Sequence, residues 1–152
     1  MLFLMNKLDS NKTKKSAKKA KSAKAFEIYP DIVSNLKKDS KLSTEDMERL
    51  EKIFGDRVKK ALNLIGENRV KKYLFTPSGV IRWVVTGYEK DYLVIEQSFC
   101  SCKDFLFTAL FKRKVPSCYH LLAREIAERI EKYDEITIED NLYATYMDEW
   151  LE

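Results

Sequence analysis

Residues 99–122 read FCSCKDFLFTALFKRKVPSCYHLL, and this stretch holds every cysteine and the only histidine of a 152-residue chain. Cys100, Cys102, Cys118 and His120 form two tight pairs, Cys-x-Cys and Cys-x-His, separated by the fifteen residues Lys103 to Ser117. Chance would scatter four such rare residues along the chain. Three thiolates and one imidazole complete a tetrahedral shell for zinc and leave no position for water or substrate. A closed shell predicts a structural metal, and so a binding module rather than a metalloenzyme. The bland alternative is three buried thiols and a core histidine. A disulfide framework fits poorly, because three cysteines cannot all pair and two of them are one residue apart.

Upstream of this stretch the apolar period is two. Val70–Thr76, Val80–Thr86 and Tyr92–Gln97 read as strands rich in Val, Ile, Tyr and Trp, with Pro77-Ser78-Gly79 and Gly87 to Lys90 as hairpin turns. Ile81, Trp83 and Val85 share one face of the second strand, and the third runs on into Cys100. Further upstream the period is helical: Met47, Leu50, Phe54, Val58, Ala61 and Ile65 follow an N-cap at Ser43. Gly55-Asp56 is a candidate break and Gly66 a candidate stop. Between the ligand pairs, Lys103 to Phe111 predicts a short aromatic helix, and Pro116-Ser117 sets up a helix with Cys118 and His120 in its first turn. After Tyr133 the next element expected is an amphipathic acidic helix over 140–151.

Net charge of +4 conceals an asymmetry. Residues 1–25 carry eight lysines against Asp9 alone, whereas residues 131–152 carry eight acids against Lys132 alone. Lys12, Lys14, Lys15, Lys18, Lys19 and Lys21 lie in low-complexity Lys/Ala/Ser sequence with almost nothing to bury. The chain thus divides into a basic disordered tail (1–25), a helical segment (26–66), a metal-binding domain (67–132) and an acidic C-terminal helix (133–152). The expected fold class is α+β: a three-stranded antiparallel meander with a zinc-stapled helix, flanked by the helical segment and the C-terminal amphipathic helix. No stretch is long enough to span a bilayer, which predicts a soluble intracellular protein, cytoplasmic in a prokaryote and nuclear in a eukaryote.

The string Phe99-Cys-Ser-Cys-Lys-Asp-Phe-Leu-Phe followed by Val115-Pro-Ser-Cys-Tyr-His-Leu-Leu-Ala resembles the SWIM zinc finger, whose signature is CxC…CxH in a ββα setting. It is similar in particular to small stand-alone SWIM proteins of archaea and eukaryotes. The resemblance covers residues 45–130, and Cys100, Cys102, Cys118 and His120 match the four ligand positions one to one. It implies a DNA-binding or protein-interaction module, and for the eukaryotic branch a partner of RecA-family recombinase paralogues in DNA recombination and repair.

Two functional classes follow. In the first, the protein is a DNA-associated accessory factor that binds without sequence specificity, through Lys12, Lys14, Lys15, Lys18, Lys19 and Lys21, and through Lys112, Arg113 and Lys114 beside the metal. The nearby Lys71 and Lys72 extend that surface. Lysine runs also serve simply as solubilising tails. In the second, the protein is an adaptor that docks a partner through Tyr143, Tyr146, Met147 and Trp150. An amphipathic terminal helix also commonly packs on its own domain. No glycine-rich phosphate loop, paired acid–base carboxylates or nucleophile arrangement stands out, so no catalytic residue is expected.

Overall fold

The helical period upstream of the strands breaks where the backbone demands it. In the computed structural model, which describes residues 27–152, α1 occupies 27–34, α2 spans Thr44–Phe54 and α3 Arg57–Gly66. The Ser43 hydroxyl accepts from the Asp46 amide, so this side chain caps α2 as its sequence position predicts. Gly55 has a φ of 62°, a left-handed conformation that favours glycine, and it separates α2 from α3.

Five strands follow: β1 Val70–Thr76, β2 Ile81–Thr86, β3 Asp91–Ile95, β4 Phe99–Cys100 and β5 Asp134–Glu139. They form one sheet in the order β4-β3-β2-β1-β5, antiparallel except for the β1–β5 pair. A π-helix, Phe105–Phe111, and then α4, Tyr119–Ile130, connect β4 to β5. A 3-10 turn, Asp140–Leu142, leads into α5, Tyr143–Leu151.

The sheet is buried on both faces. Val70, Trp83, Val85 and Val94 face the core shared by α1 to α4, which also takes in Leu50, Phe54, Val58 and Ile126. Tyr73, Phe75, Val84 and Leu93 face the other way, onto Trp150 of α5. Alternation along β1 and β2 therefore sorts two apolar sets onto opposite faces.

Three expectations are corrected. The third strand does not run into Cys100: the chain reverses at residues 96–98, where Gln97 takes a φ of 52° and the Ser98 amide bonds to the Ile95 carbonyl at 3.1 Å. Residues 133–152 are not solely a helix, because Asp134–Glu139 joins β1 as an edge strand and makes the sheet five-stranded. The divisions after residues 66 and 132 also fall inside one packed unit, since α1 to α3 share their core with α4. Tyr29 of α1 illustrates this: its ring meets Phe54 edge-on at 5.2 Å and its hydroxyl donates to Glu125 of α4.

The face proposed for partner docking turns inward. Trp150 is 2% exposed and stacks near Tyr73 at 4.8 Å, while Tyr143 meets the Phe75 ring at 5.0 Å. The Arg82 guanidinium donates to the Tyr143 hydroxyl at 2.7 Å, and Tyr146 and Met147 pack on the same cluster. These four side chains of α5 cover the second sheet face among the described residues. Trp150→Ala should therefore cost about 3–5 kcal/mol, read as a lowered urea midpoint, because it opens a large cavity under α5. A loss below about 1 kcal/mol would mean that α5 is dispensable to the fold.

Candidate metal centre

The centre is built where β4 ends and α4 begins. Cys100 pairs with Val94 at the last register position of the sheet. Ser101 extends the pairing by one residue: its amide donates to the Leu93 carbonyl at 3.0 Å, and its hydroxyl accepts from the Leu93 amide at 3.1 Å. The chain then turns sharply, with Cys102 Sγ accepting from the Phe105 amide at 3.2 Å. Cys118 is the N-cap of α4, and its Sγ accepts from the Leu121 amide at 3.5 Å. His120 follows in the first turn.

These elements bring one ligand atom from each of Cys100, Cys102, Cys118 and His120 within 4.8 Å of one another, and all four residues are buried. A tetrahedral ion with bonds of about 2.0–2.3 Å holds its donors roughly 3.5 Å apart, so the cluster needs only a small contraction to close on one metal. The donor set fits. Neither His120 ring nitrogen has a hydrogen-bond partner although both are buried, a costly state that coordination relieves at one of them.

Electrostatics point the same way. Burial pushes the Cys118 thiol well above the usual range. Cys100 is also held high, chiefly by its hydrogen bond with Cys102, while bonds from Cys100 and Cys118 pull Cys102 low. One thiolate is thus favoured at the expense of its neighbours. Three together need a cation, assisted by the positive N-terminal end of α4.

The surroundings of His120 carry residues that sequence reasoning missed. Its ring packs against Tyr92, at 4.3 Å, and Tyr119, at 4.1 Å, both moderately tilted. The two tyrosines fix the imidazole plane and shield it from water. Burial pushes the Tyr119 phenol up to about 12. Gly87 makes room for this packing, because a Cβ there would stand 2.4 Å from the Tyr92 ring. The only signal in the sequence was the adjacency of Tyr119 to His120; Gly87 and Tyr92 approach through the β2–β3 turn. Arg57 of α3 grips Asp104 with two hydrogen bonds of 2.9 and 2.6 Å, tying the helical layer to the turn just after Cys102. That grip holds the Asp104 carboxyl below its usual range.

The other expected site residues fall in three places. Lys112, Arg113 and Lys114 are exposed on the loop between the ligand pairs. Lys72 is bridged to Glu135 at 3.0 Å and lies near the Tyr133 ring, so it is committed to the β1–β5 edge. Lys12, Lys14, Lys15, Lys18, Lys19 and Lys21 lie outside the described residues.

A Cys-x-Cys strand end and a Cys-x-His helix start converging on one point define a metal-binding module of the SWIM type. The chain belongs to the Zinc finger SWIM domain-containing protein 7 family. It is 30% identical over 126 residues to the Dictyostelium discoideum homologue of that name, spanning 82% of this chain and 80% of that protein. The mouse protein of the same name is 26% identical over 116 residues, covering 75% of this chain and 76% of its own. An uncharacterized protein of Archaeoglobus fulgidus is 38% identical over 95 residues, or 62% of this chain and 72% of its own. No family model and no solved structure matches the chain. Among the described residues no helix is long and apolar enough to cross a membrane.

Cys118→Ala should abolish metal binding and lower the melting temperature by roughly 10–20 °C, as should a strong chelator acting on the unaltered chain. Calorimetry with and without chelator reads this directly, and an unchanged transition would mean that the centre does not hold the fold together. Gly87→Ala should leave all four ligands in place yet weaken metal affinity about tenfold by displacing Tyr92 from His120. Competition against a chromogenic chelator measures it, and wild-type affinity would show that the tyrosine packing is irrelevant to the site.

Proposed function

We propose that the centre holds one zinc ion in a structural role and that the chain is a non-enzymatic, DNA-associated accessory protein. When bound, the ion supplies a cross-link between sheet and helix and neutralises the thiolates. The observation that carries the reading is the exposed loop Lys112-Arg113-Lys114, tethered between two metal-ligand pairs that leave no coordination position for a substrate. Cations on a pinned loop suit phosphate contacts, which give sequence-independent and salt-sensitive affinity. The lysines between Lys12 and Lys21 would add to it.

A place in homologous recombination or repair, beside a RecA-family recombinase-like partner, is supported by the resemblance to stand-alone SWIM proteins. The adaptor reading has less support, because the face assigned to docking, with Tyr143, Tyr146, Met147 and Trp150, is spent on the sheet.

Fluorescence anisotropy of the zinc-loaded chain on labelled DNA, taken through a salt series, tests the DNA reading. Affinity should fall linearly on a log–log plot, and Lys112→Ala with Lys114→Ala should lower the slope by about 2. Removing residues 1–25 should lower it further. No binding at low salt would overturn the DNA reading and leave an adaptor.

A further inference from the structure

The π-helix between the ligand pairs buries only one side. Phe105 and Ala109 enter the core, whereas Leu106, Phe107, Leu110 and Phe111 are 40%, 50%, 51% and 68% exposed. Four large apolar side chains displayed on seven residues is an unusual outlay of surface, and π-helical turns recur at functional sites. The patch is not a loose end. Metal ligands bracket it at Cys102 and Cys118, and Val115 anchors it in the core. The Lys112 amide bonds to the Phe107 carbonyl at 3.1 Å, and the Lys114 amide to the Thr108 carbonyl at 3.0 Å. The backbone that carries the rings and lysines is therefore tied into one piece.

Charge narrows the kind of occupant. Between Cys102 and Cys118 the sequence carries Lys103, Lys112, Arg113 and Lys114 against Asp104 alone, and Asp104 is consumed by Arg57. Lys103, Lys112 and Lys114, which flank the π-helix in sequence, are exposed. The Phe107 and Phe111 rings sit 6.2 Å apart at an angle of 57°, so they are not stacked flat on one another, and both side chains are at least half exposed. Exposed aromatic faces rimmed by cations are what single-stranded nucleic acid binds, because every unpaired base has a face to stack and a phosphate beside it. A duplex hides its base faces and can use only the lysines.

We propose that Phe107 and Phe111 form a stacking platform for the bases of single-stranded nucleic acid, with Lys103, Lys112 and Lys114 on its phosphates. This rests on the DNA reading above and specifies its strand preference. The test uses the zinc-loaded full chain, Phe107→Leu with Phe111→Leu, and fluorescein-labelled oligothymidine of about 16 nucleotides beside a duplex of equal length. Leucine keeps the patch apolar and removes the aromatic face. Single-strand affinity should fall about tenfold or more, with duplex affinity and both salt slopes unchanged. Phe111→Ser, at the most exposed position, should act in the same direction. Unchanged single-strand affinity in these variants, with DNA binding otherwise intact, would overturn the platform and mark the patch as a protein-docking surface. Absence of binding by the unaltered chain to either probe at low salt would overturn both readings.

Discussion

Three buried sulfurs and a buried imidazole crowd one point between the edge of a sheet and the start of a helix, and the chain between them is tied down besides by Phe105, Ala109 and Val115 in the core and by the Arg57–Asp104 pair. β4 is two residues long, and the segment from Phe105 to Phe111 is a π-helix, a form rarely sustained beyond a single turn. Neither would persist from local propensity. A cation shared by Cys100, Cys102, Cys118 and His120 would convert these weak elements into a fixed bridge, and its binding free energy would become folding free energy. What is displayed on that bridge, aromatic rings and lysines, would inherit its rigidity.

The rest of the molecule is arranged to serve this junction. α4 begins at a ligand and lies along a core formed with α1 to α3, and the Arg57–Asp104 pair clamps that core to the turn after Cys102. On the far face, α5 covers β1 to β3 with Trp150 and its neighbours. The acids Asp134, Glu135 and Glu139 line the exposed edge strand β5, where charge discourages pairing with another chain's strand. Negative charge is thus concentrated at one edge of the sheet, and the lysine-rimmed patch follows the opposite edge, β4.

Much of this was legible in the sequence because it rests on local chemistry. Ser43 caps a helix and Gly55 breaks one, each for a reason confined to a few residues, whereas the expected stop at Gly66 is made by Asn68, which takes a φ of 55°. The four ligands stood out because no other cysteine or histidine dilutes them. What escaped depends on neighbours distant in sequence. The alternation of Ile136 and Ile138 in β5 was masked by acids, and its pairing with β1 spans more than sixty residues. The β3–β4 turn gave no signal because Gln97, rather than glycine, takes the left-handed conformation. The tyrosines around His120 meet only once the sheet and helix have packed. Exposure of the π-helix face was equally hidden, since a short aromatic helix carries no local sign of which rings it buries.

The most direct test of this account is X-ray absorption at the zinc edge on the purified chain, combined with metal quantitation. One zinc per chain, with three sulfurs at about 2.3 Å and one nitrogen at about 2.0 Å, is the predicted shell. Fewer than three sulfurs, with a second light scatterer in their place, would mean an open site, and with it a different chemistry at the point where the fold is joined.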